Sequence, residues 1–195
     1  MARIIGCRDL HIAQLKTDPT SGKPTYMTPV RVPSLISISI SDSVEQSKFY
    51  SDDSVEQSFS KTASKEVDIE LGYLTNELEA LITGKTLDEK GVLIQKGDDA
   101  PKELAILFRA PKSKDGAFRY MCLYKGTLAR TESEYNTQED AVESATVSLT
   151  GTFIQLLSTG QMAATADSDD EKTAEAVTAW FTTVYGATMD PGVGA

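Results

Sequence analysis

Two short stretches of the sequence bring together residue types that bind phosphate or metal ions. The stretch ITGKT (82–86) is like part of a phosphate-binding loop, in which backbone amides and a lysine hold the phosphates. The full pattern needs a second glycine five residues before Gly84, where the chain has Glu79. The acidic run DSDDEK (167–172) lacks the glycine and the glutamate that a calcium-binding loop needs at its sixth and twelfth positions. We therefore predict no site at either stretch and interpret the acidic run as a helix cap.

Nucleophilic and acid-base residues form no recognisable catalytic motif. Cys7 and Cys122 lie far apart and match no metal-ligand spacing or disulfide framework. Cys122 lies within RYMCLYKG and is predicted to be a buried core residue, and His11 is the only histidine. The sequence has no GxSxG, HExxH or CxxC motif, and no pair stands out among its 29 acidic residues. We predict a protein that is not an enzyme and that uses no cofactor or metal.

Length and charge restrict the class of protein further. The chain has 195 residues, which suits one compact domain, and its 29 acidic against 19 basic residues give a net charge of −10. An acidic surface repels phosphate, so specific nucleic-acid binding is not expected. No apolar run approaches the roughly 20 residues of a membrane-spanning helix, and the N-terminus has no signal-peptide pattern. We expect a soluble protein made in the cytoplasm.

Most of the elements that would position these residues are predicted strands. Alternating or β-branched runs, several of them separated by turn residues, occur at 35–41, 65–71, 103–110, 118–126 and 145–157. The predicted fold is therefore mainly β, of the α+β class.

Two helices interrupt the strands. In LTNELEALITG, Asn76 and Glu79 are predicted to form a capping box and Gly84 to end the helix. A C-terminal helix is predicted over 169–186, with acidic residues in its first turn. Its apolar stripe should dock on the rest of the protein through Val177, Trp180, Phe181 and Val184.

Three segments lack periodicity. We predict a flexible loop at 15–29, which is rich in proline, glycine and threonine, a linker at 160–168, and a flexible tail at 187–195.

The hexapeptide DSVEQS occurs twice, at 42–47 and again at 53–58. An offset of eleven residues is close to three helical turns, but the intervening serine, aspartate and aromatic residues disfavour a helix. A long β-hairpin with Ser51 and Asp52 as its loop fits better. That register would pair Tyr50 with Asp53, Val44 with Phe59, Ile40 with Ala63 and Ile36 with Val67.

The hairpin would carry two different faces, because successive side chains of a strand point to opposite sides. One face is apolar and includes Ile36, Ile38, Ile40, Val67 and Ile69. The other face combines Ser37, Ser39 and Ser41 with the acidic residues Glu45, Glu56, Glu66, Asp68 and Glu70. It is either an ordinary solvated sheet face or a surface selected to be anionic.

The order of the segments resembles the major tail protein, or tail tube protein, family of long, flexible-tailed bacteriophages, including prophage copies in Gram-positive bacteria. The most specific matches are FYSDD (49–53), LYKG (123–126) and LTGTF (149–153), and the resemblance extends over about residues 3–185. The repeated DSVEQS and the residues after Gly186 are not among the segments that carry the resemblance.

The resemblance implies a β-sandwich or half-barrel with a flanking helix that assembles into stacked hexameric rings. In this interpretation the protein is a virion component assembled in the cytoplasm of the host bacterium, and the genome passes through the tube without specific binding. Its acidic hairpin face would line the lumen. The implied partners are further copies of the chain and the tape-measure, distal tail and tail-terminator proteins, with no membrane.

Two other functions fit the same sequence. One is a monomeric β-sandwich recognition or decoration module whose loops bind a ligand. The other is the tube protein of a contractile injection system, which a sheath partner would distinguish.

Overall fold

The computed structural model describes residues 3–51, 54–113, 116–133 and 146–190, but not the side chains of 47–51, 54–58 and 132–133. The strands of this part of the chain are β1 (Arg8–Thr17), β2 (Thr25–Met27), β3 (Val30–Arg31), β4 (Leu35–Ser51), β5 (Ser54–Leu71), β6 (Thr86–Leu87), β7 (Leu93–Ile94), β8 (Leu104–Pro111), β9 (Phe118–Ser133), β10 (Val147–Ile154), β11 (Ala163–Asp167) and β12 (Thr188–Asp190). The helices are α1 (Asn76–Thr83) and α2 (Ala174–Thr178), and a 3₁₀ turn at Glu171–Thr173 precedes α2.

Ten of the described strands form one mixed sheet. Its order is β12-β2-β1-β8-β9-β10-β5-β4, with β11 beside β9 and β3 beside β1, while β6 and β7 pair separately. The sheet curls, because Cys7 lies beside the carbonyl of Ile36 although four strands separate β1 from β4 in the order. It does not close into a barrel. The mainly β fold predicted from the sequence is confirmed.

The predicted hairpin exists as β4 and β5, but its register differs from the prediction. Ile40 pairs with Val67 and Ile38 with Ile69, and Val44 pairs with Thr62 instead of Phe59. Irregularities near Ser43 and Phe49 shift the register along the hairpin. Since the base of the hairpin is offset from the predicted register by an even number of residues, the predicted faces are kept there.

Two apolar clusters lie on opposite faces of the sheet. Leu104, Ile106 and Phe108 of β8 belong to the first cluster, whereas Ala105 and Leu107 belong to the second. This explains the unbroken apolar sequence of β8, because a strand buried on both faces does not need to alternate. The strands β5 and β10 contribute only to the first cluster. Their other face is therefore left open.

The helix α1 covers the first cluster with Leu78 and Ile82. The predicted cap is corrected: the hydroxyl of Thr75, not Asn76, accepts a hydrogen bond from the backbone N–H of Leu78 at 3.3 Å. Gly84 ends the helix in the left-handed conformation, as predicted. A Cβ at that position would come within 2.1 Å of the carbonyl oxygen of Ala100.

Glu79 does not close a capping box, and it is only 5% exposed. Its carboxylate accepts hydrogen bonds from Nζ of Lys85 at 2.7 Å and from Nη1 of Arg130 at 2.8 Å. Because Arg130 lies on β9, this buried ionic group fastens α1 to the sheet.

The C-terminal region differs most from the prediction. The predicted linker at 160–168 contains β11, which pairs with β9, and the predicted tail contains β12, which pairs in parallel with β2. Residues 191–195 lie outside the described part. The predicted helix at 169–186 is limited to the 3₁₀ turn and the five residues of α2. After Ala179 the chain continues in turns, in which the backbone N–H groups and the hydroxyls of Thr182 and Thr183 all donate to the carbonyl oxygen of Ala179.

The segment 15–29 is not one irregular loop, since β1 extends to Thr17 and β2 occupies Thr25–Met27. Tyr26 is fully buried, and its hydroxyl donates to the carbonyl oxygen of Tyr124 at 3.0 Å. Asp18 accepts hydrogen bonds from Lys125 and from the backbone N–H groups of Leu157 and Ser158. Flexibility of the remaining loop, 20–23, stays a prediction.

Candidate functional site

The open face of β5 and β10 continues across four strands, from β4 to β9. One row of paired residues consists of Ser41, Glu66, Thr152 and Thr127, and the next of Ser39, Asp68, Thr150 and Ala129. A third row contains Ser37, Glu70 and Ser148. We call these eleven residues the polar face.

Alternation along the strands produces this surface. Glu66 and Asp68 are exposed, whereas Val67 and Ile69 between them are buried in the first apolar cluster. The same period of two separates the exposed Thr152 from the buried Phe153 on β10. Each strand therefore presents hydroxyl or carboxyl groups on one side and core residues on the other.

The carboxylates of the polar face are not neutralised. Among the described residues, no lysine, arginine or histidine nitrogen lies within 4.0 Å of the carboxylates of Glu66, Asp68 or Glu70. Glu70 accepts a hydrogen bond from the hydroxyl of Ser37 at 3.4 Å. The neighbouring Lys65 instead pairs with Asp42 on the opposite face of the hairpin. The polar face is therefore anionic.

A glycine lies between Thr150 and Thr152, the two threonines that β10 contributes to the polar face. Gly151 on β10 pairs with Val67 on one side and Leu128 on the other. A Cβ at Gly151 would come within 2.1 Å of the carbonyl oxygen of Thr127, so no other residue fits without a shift of the backbone. The surface beside it forms a shallow depression of about 400 Å³ that includes Glu66, Asp68 and Thr152.

The structure brings together three of the five acidic residues singled out in the sequence, namely Glu66, Asp68 and Glu70. Glu45 is exposed but lies farther along the hairpin, where it pairs with Lys61. Glu56 lies in the part of β5 whose side chains the structure does not describe. The predicted acidic face is thus concentrated at the base of the hairpin.

The hydroxyl residues of β9 and β10 were missed by sequence reasoning, although they are four of the eleven residues of the polar face. The signal was present in β10, because Ser148, Thr150 and Thr152 alternate with Leu149 and Phe153. Which strand lies next to β5 depends on long-range pairing, which the alternation alone does not reveal.

The outer part of the hairpin extends beyond the rest of the sheet. β10 pairs with β5 only over residues 65–71, so residues 54–64 pair only with β4. At about 3.3 Å per residue, this two-stranded arm is roughly 36 Å long. The side chains of Val44 and Phe59 on the arm are exposed. β4 is also an edge strand along its full length of 17 residues.

The predicted docking residues of the C-terminal region are placed on the second apolar cluster. Trp180 and Val184 are buried in it, and Val177 and Phe181 pack against it while partly exposed. The indole Nε1–H of Trp180 donates to the carbonyl oxygen of Met121 at 3.4 Å. These contacts are made even though most of the predicted helix is absent.

An ionic network fixes the start of this region. Arg119 donates two hydrogen bonds of 2.8 Å to Asp167, and Lys112 contacts both Asp167 and Asp169. The two hydrogen bonds from Arg119 hold the pKa of Asp167 well below its usual value, and Lys112 lowers it further.

Burial raises the pKa of the Cys122 thiol, so this thiol is protonated and unreactive at neutral pH.

Comparison with known proteins matches the chain to a protein family. The family model described as phage tail tube protein matches residues 40–187. No curated protein matches the chain. In the described residues, no helix is long and apolar enough to cross a membrane.

Proposed function

The chain belongs to the phage tail tube protein family, and we propose that it forms hexameric rings that stack into a hollow tail tube for genome ejection. Membership of this family makes the chain a structural component of the virion tail. The proposal adds the ring symmetry, the stacking, assembly in the host cytoplasm and the contacts with tape-measure, distal tail and tail-terminator proteins.

We assign the polar face to the wall of the lumen, and this one observation carries the proposal. The three carboxylates of β5 lie among hydroxyl residues of four adjacent strands, and no described basic side chain forms an ion pair with them. A DNA phosphate gains no counterion release from such a wall and is repelled by its charge. Genome DNA can then slide through the tube without adhering.

The unsupported edge of the sheet favours assembly. A long edge strand exposes unpaired backbone groups, which a neighbouring subunit can satisfy. An isolated two-stranded hairpin is marginally stable in water, and the arm formed by residues 42–64 has no other strand beside it in the described structure. Contacts with further copies of the chain would stabilise both features.

Electron microscopy and cysteine labelling test the proposal together. Negatively stained concentrated protein should show rings or hollow tubes, and a chain that stays monomeric would instead be a recognition module. For labelling, Cys7→Ser removes the partly exposed native thiol. Ser41→Cys then places a thiol on the polar face, and Asp42→Cys places one on the opposite face.

In an assembled tube, a lumen thiol should react with a small maleimide that diffuses in from the ends. It should be protected from a maleimide attached to a bulky polyethylene glycol. The Ser41→Cys variant should show this combination, and Asp42→Cys should react with both reagents or with neither. If bulky reagent labels Ser41→Cys tubes as fast as free subunits, the polar face is not the lumen wall.

A further inference from the structure

A group of arginines lies on β1, β3 and β8, none of which contributes a residue to the polar face. Two adjoining cavities of about 510 and 440 Å³ share Asp9, Arg31 and Arg109, and Arg8 lines the second of them. We call the combined surface the arginine groove. It is unusual for this chain, whose net charge is −10.

The guanidinium of Arg109 is held in place from several directions. It donates to Asp9 at 2.6 Å and lies 4.4 Å from the centre of the Phe118 ring. Arg31 also contacts Asp9, at 3.2 Å, but its side chain is 69% exposed, and Arg8 is exposed as well. The groove is lined by the carboxylate of Asp9 and by the guanidiniums of Arg8, Arg31 and Arg109, so its net charge is positive. Much of this positive charge is accessible to a partner, because Arg8 and Arg31 are exposed.

Ring stacking and constrained backbone conformations hold the residues that line the arginine groove in place. The His11 ring stacks on Phe181 with 4.4 Å between ring centres. Burial lowers the pKa of His11, so the imidazole is neutral at pH 7 and the charge comes from the arginines. Asp9 and Ser34, which also line the cavities, have φ angles of 56° and 61°. Positive φ at residues other than glycine is typical of sites where the surrounding structure holds the backbone in place.

We propose that the arginine groove binds an acidic segment of a second copy of this chain. Arginine favours carboxylate partners, because its planar guanidinium donates two parallel hydrogen bonds to them. The stretch 132–143 has five acidic residues and no basic residue, a combination that no other stretch of twelve residues in the sequence has. Charge complementarity therefore favours this acidic stretch as the segment that binds in the arginine groove. This inference rests on the proposed self-assembly and adds a specific contact to it.

A charge-reversal series tests the inference. The variant Arg8→Glu/Arg31→Glu makes the groove negative, and Arg8→Gln/Arg31→Gln removes charge without adding repulsion. The matched control Lys23→Glu/Lys90→Glu makes the same change in net charge at exposed lysines outside the groove. Circular dichroism and thermal unfolding of each free subunit establish that it folds.

The readout is the protein concentration at which assemblies sediment, measured at low and high salt. Loss of a charged contact should raise that concentration roughly tenfold or more for the glutamate variant and less for the glutamine variant. The lysine control should assemble like the wild type. Adding Glu139→Lys/Asp140→Lys to the glutamate variant should restore assembly, and the benefit should decrease with salt.

The outcomes separate the two proposals. If the wild type never assembles, the proposed tube function is wrong. If the wild type assembles and the folded groove variants assemble equally well, the groove is not an interface between copies. If the groove variants are impaired but reversing residues 139 and 140 restores nothing, the acidic segment is not the occupant and the inference is overturned.

Discussion

Trp180 offers the most informative single perturbation of the subunit. Its indole is 2% exposed within the second apolar cluster. The Tyr120 ring meets it edge to face at 5.9 Å between ring centres, and the Tyr185 ring stacks on it at 6.0 Å. The side chain therefore connects the C-terminal segment to β9.

Replacing a buried tryptophan with alanine removes this packing and leaves a cavity. The expected cost for Trp180→Ala is about 3–5 kcal/mol in the free energy of unfolding. A typical domain has about 5–15 kcal/mol in total. For a chain of this size each kcal/mol lowers the melting temperature by about 2–4 °C, so a decrease of roughly 6–20 °C is expected.

Circular dichroism of the dilute subunit measures that shift in melting temperature. Tryptophan fluorescence cannot follow unfolding of the variant, because Trp180 is the only tryptophan in the sequence. In the wild type, blue-shifted tryptophan emission from the same dilute sample should show that the indole is buried within one subunit. Tyr185→Ala is the matched control, because this ring is 51% exposed and should cost only about 0.5–1.5 kcal/mol. Red-shifted emission from the wild-type subunit, with a Trp180→Ala shift no larger than that of the control, would refute docking within the subunit.

Three further predictions concern the sheet and its charges. Gly126→Ala would place a methyl group 2.5 Å from a buried phenylalanine ring and should cost about 1–3 kcal/mol in denaturant unfolding, whereas Gly97→Ala, in open space, should be neutral. Asp167→Asn should lower the melting temperature at pH 7, because it removes the carboxylate that Arg119 binds. Since Arg119 lowers the pKa of Asp167, the stabilisation by this carboxylate is lost as the pH falls below about 4. A difference in melting temperature between variant and wild type that is as large at pH 2.5 as at pH 7 would contradict the assignment. Tubes in which the three carboxylates of the polar face are replaced by lysine should retain DNA at low salt and release it at high salt, unlike wild-type tubes in the same pull-down.

Alternation in the sequence was sufficient to predict the hairpin and its two faces. The strict period of two in LISISIS assigns Ser39 and Ile40 to opposite sides whatever the partner residue is. The predicted pairing was nevertheless wrong, with Ile40 opposite Val67 instead of Ala63. Register depends on the turn and on irregularities near Ser43 and Phe49, which leave no clear signal in the composition.

In the C-terminal region the outcome is reversed: the buried residues were predicted correctly, but the predicted secondary structure was wrong. Spacing of Val177, Trp180 and Val184 was interpreted as a long helix, and two of the three are buried. The helix ends at Thr178, and the backbone N–H of Trp180 donates to the carbonyl oxygen of Val177, three residues back, as in a turn. The short strands β2, β11 and β12 were missed, since three to five residues carry little propensity and form only against a distant partner.

The division of the sheet into two halves gives a physical reason for the polymer. Around β8 both faces are covered, so this half needs no partner to complete its core. At the β4 edge, one face is anionic and the other exposes Ile36 and Val44, with 51% and 46% of their surfaces in water. Solvent contact suits the anionic face, but the apolar residues and the unpaired backbone of β4 gain free energy only when another surface covers them. We therefore expect neighbouring subunits to meet at β4 and to leave the polar face open. In the proposed tube this open face lines the lumen, where its carboxylates repel the DNA phosphates.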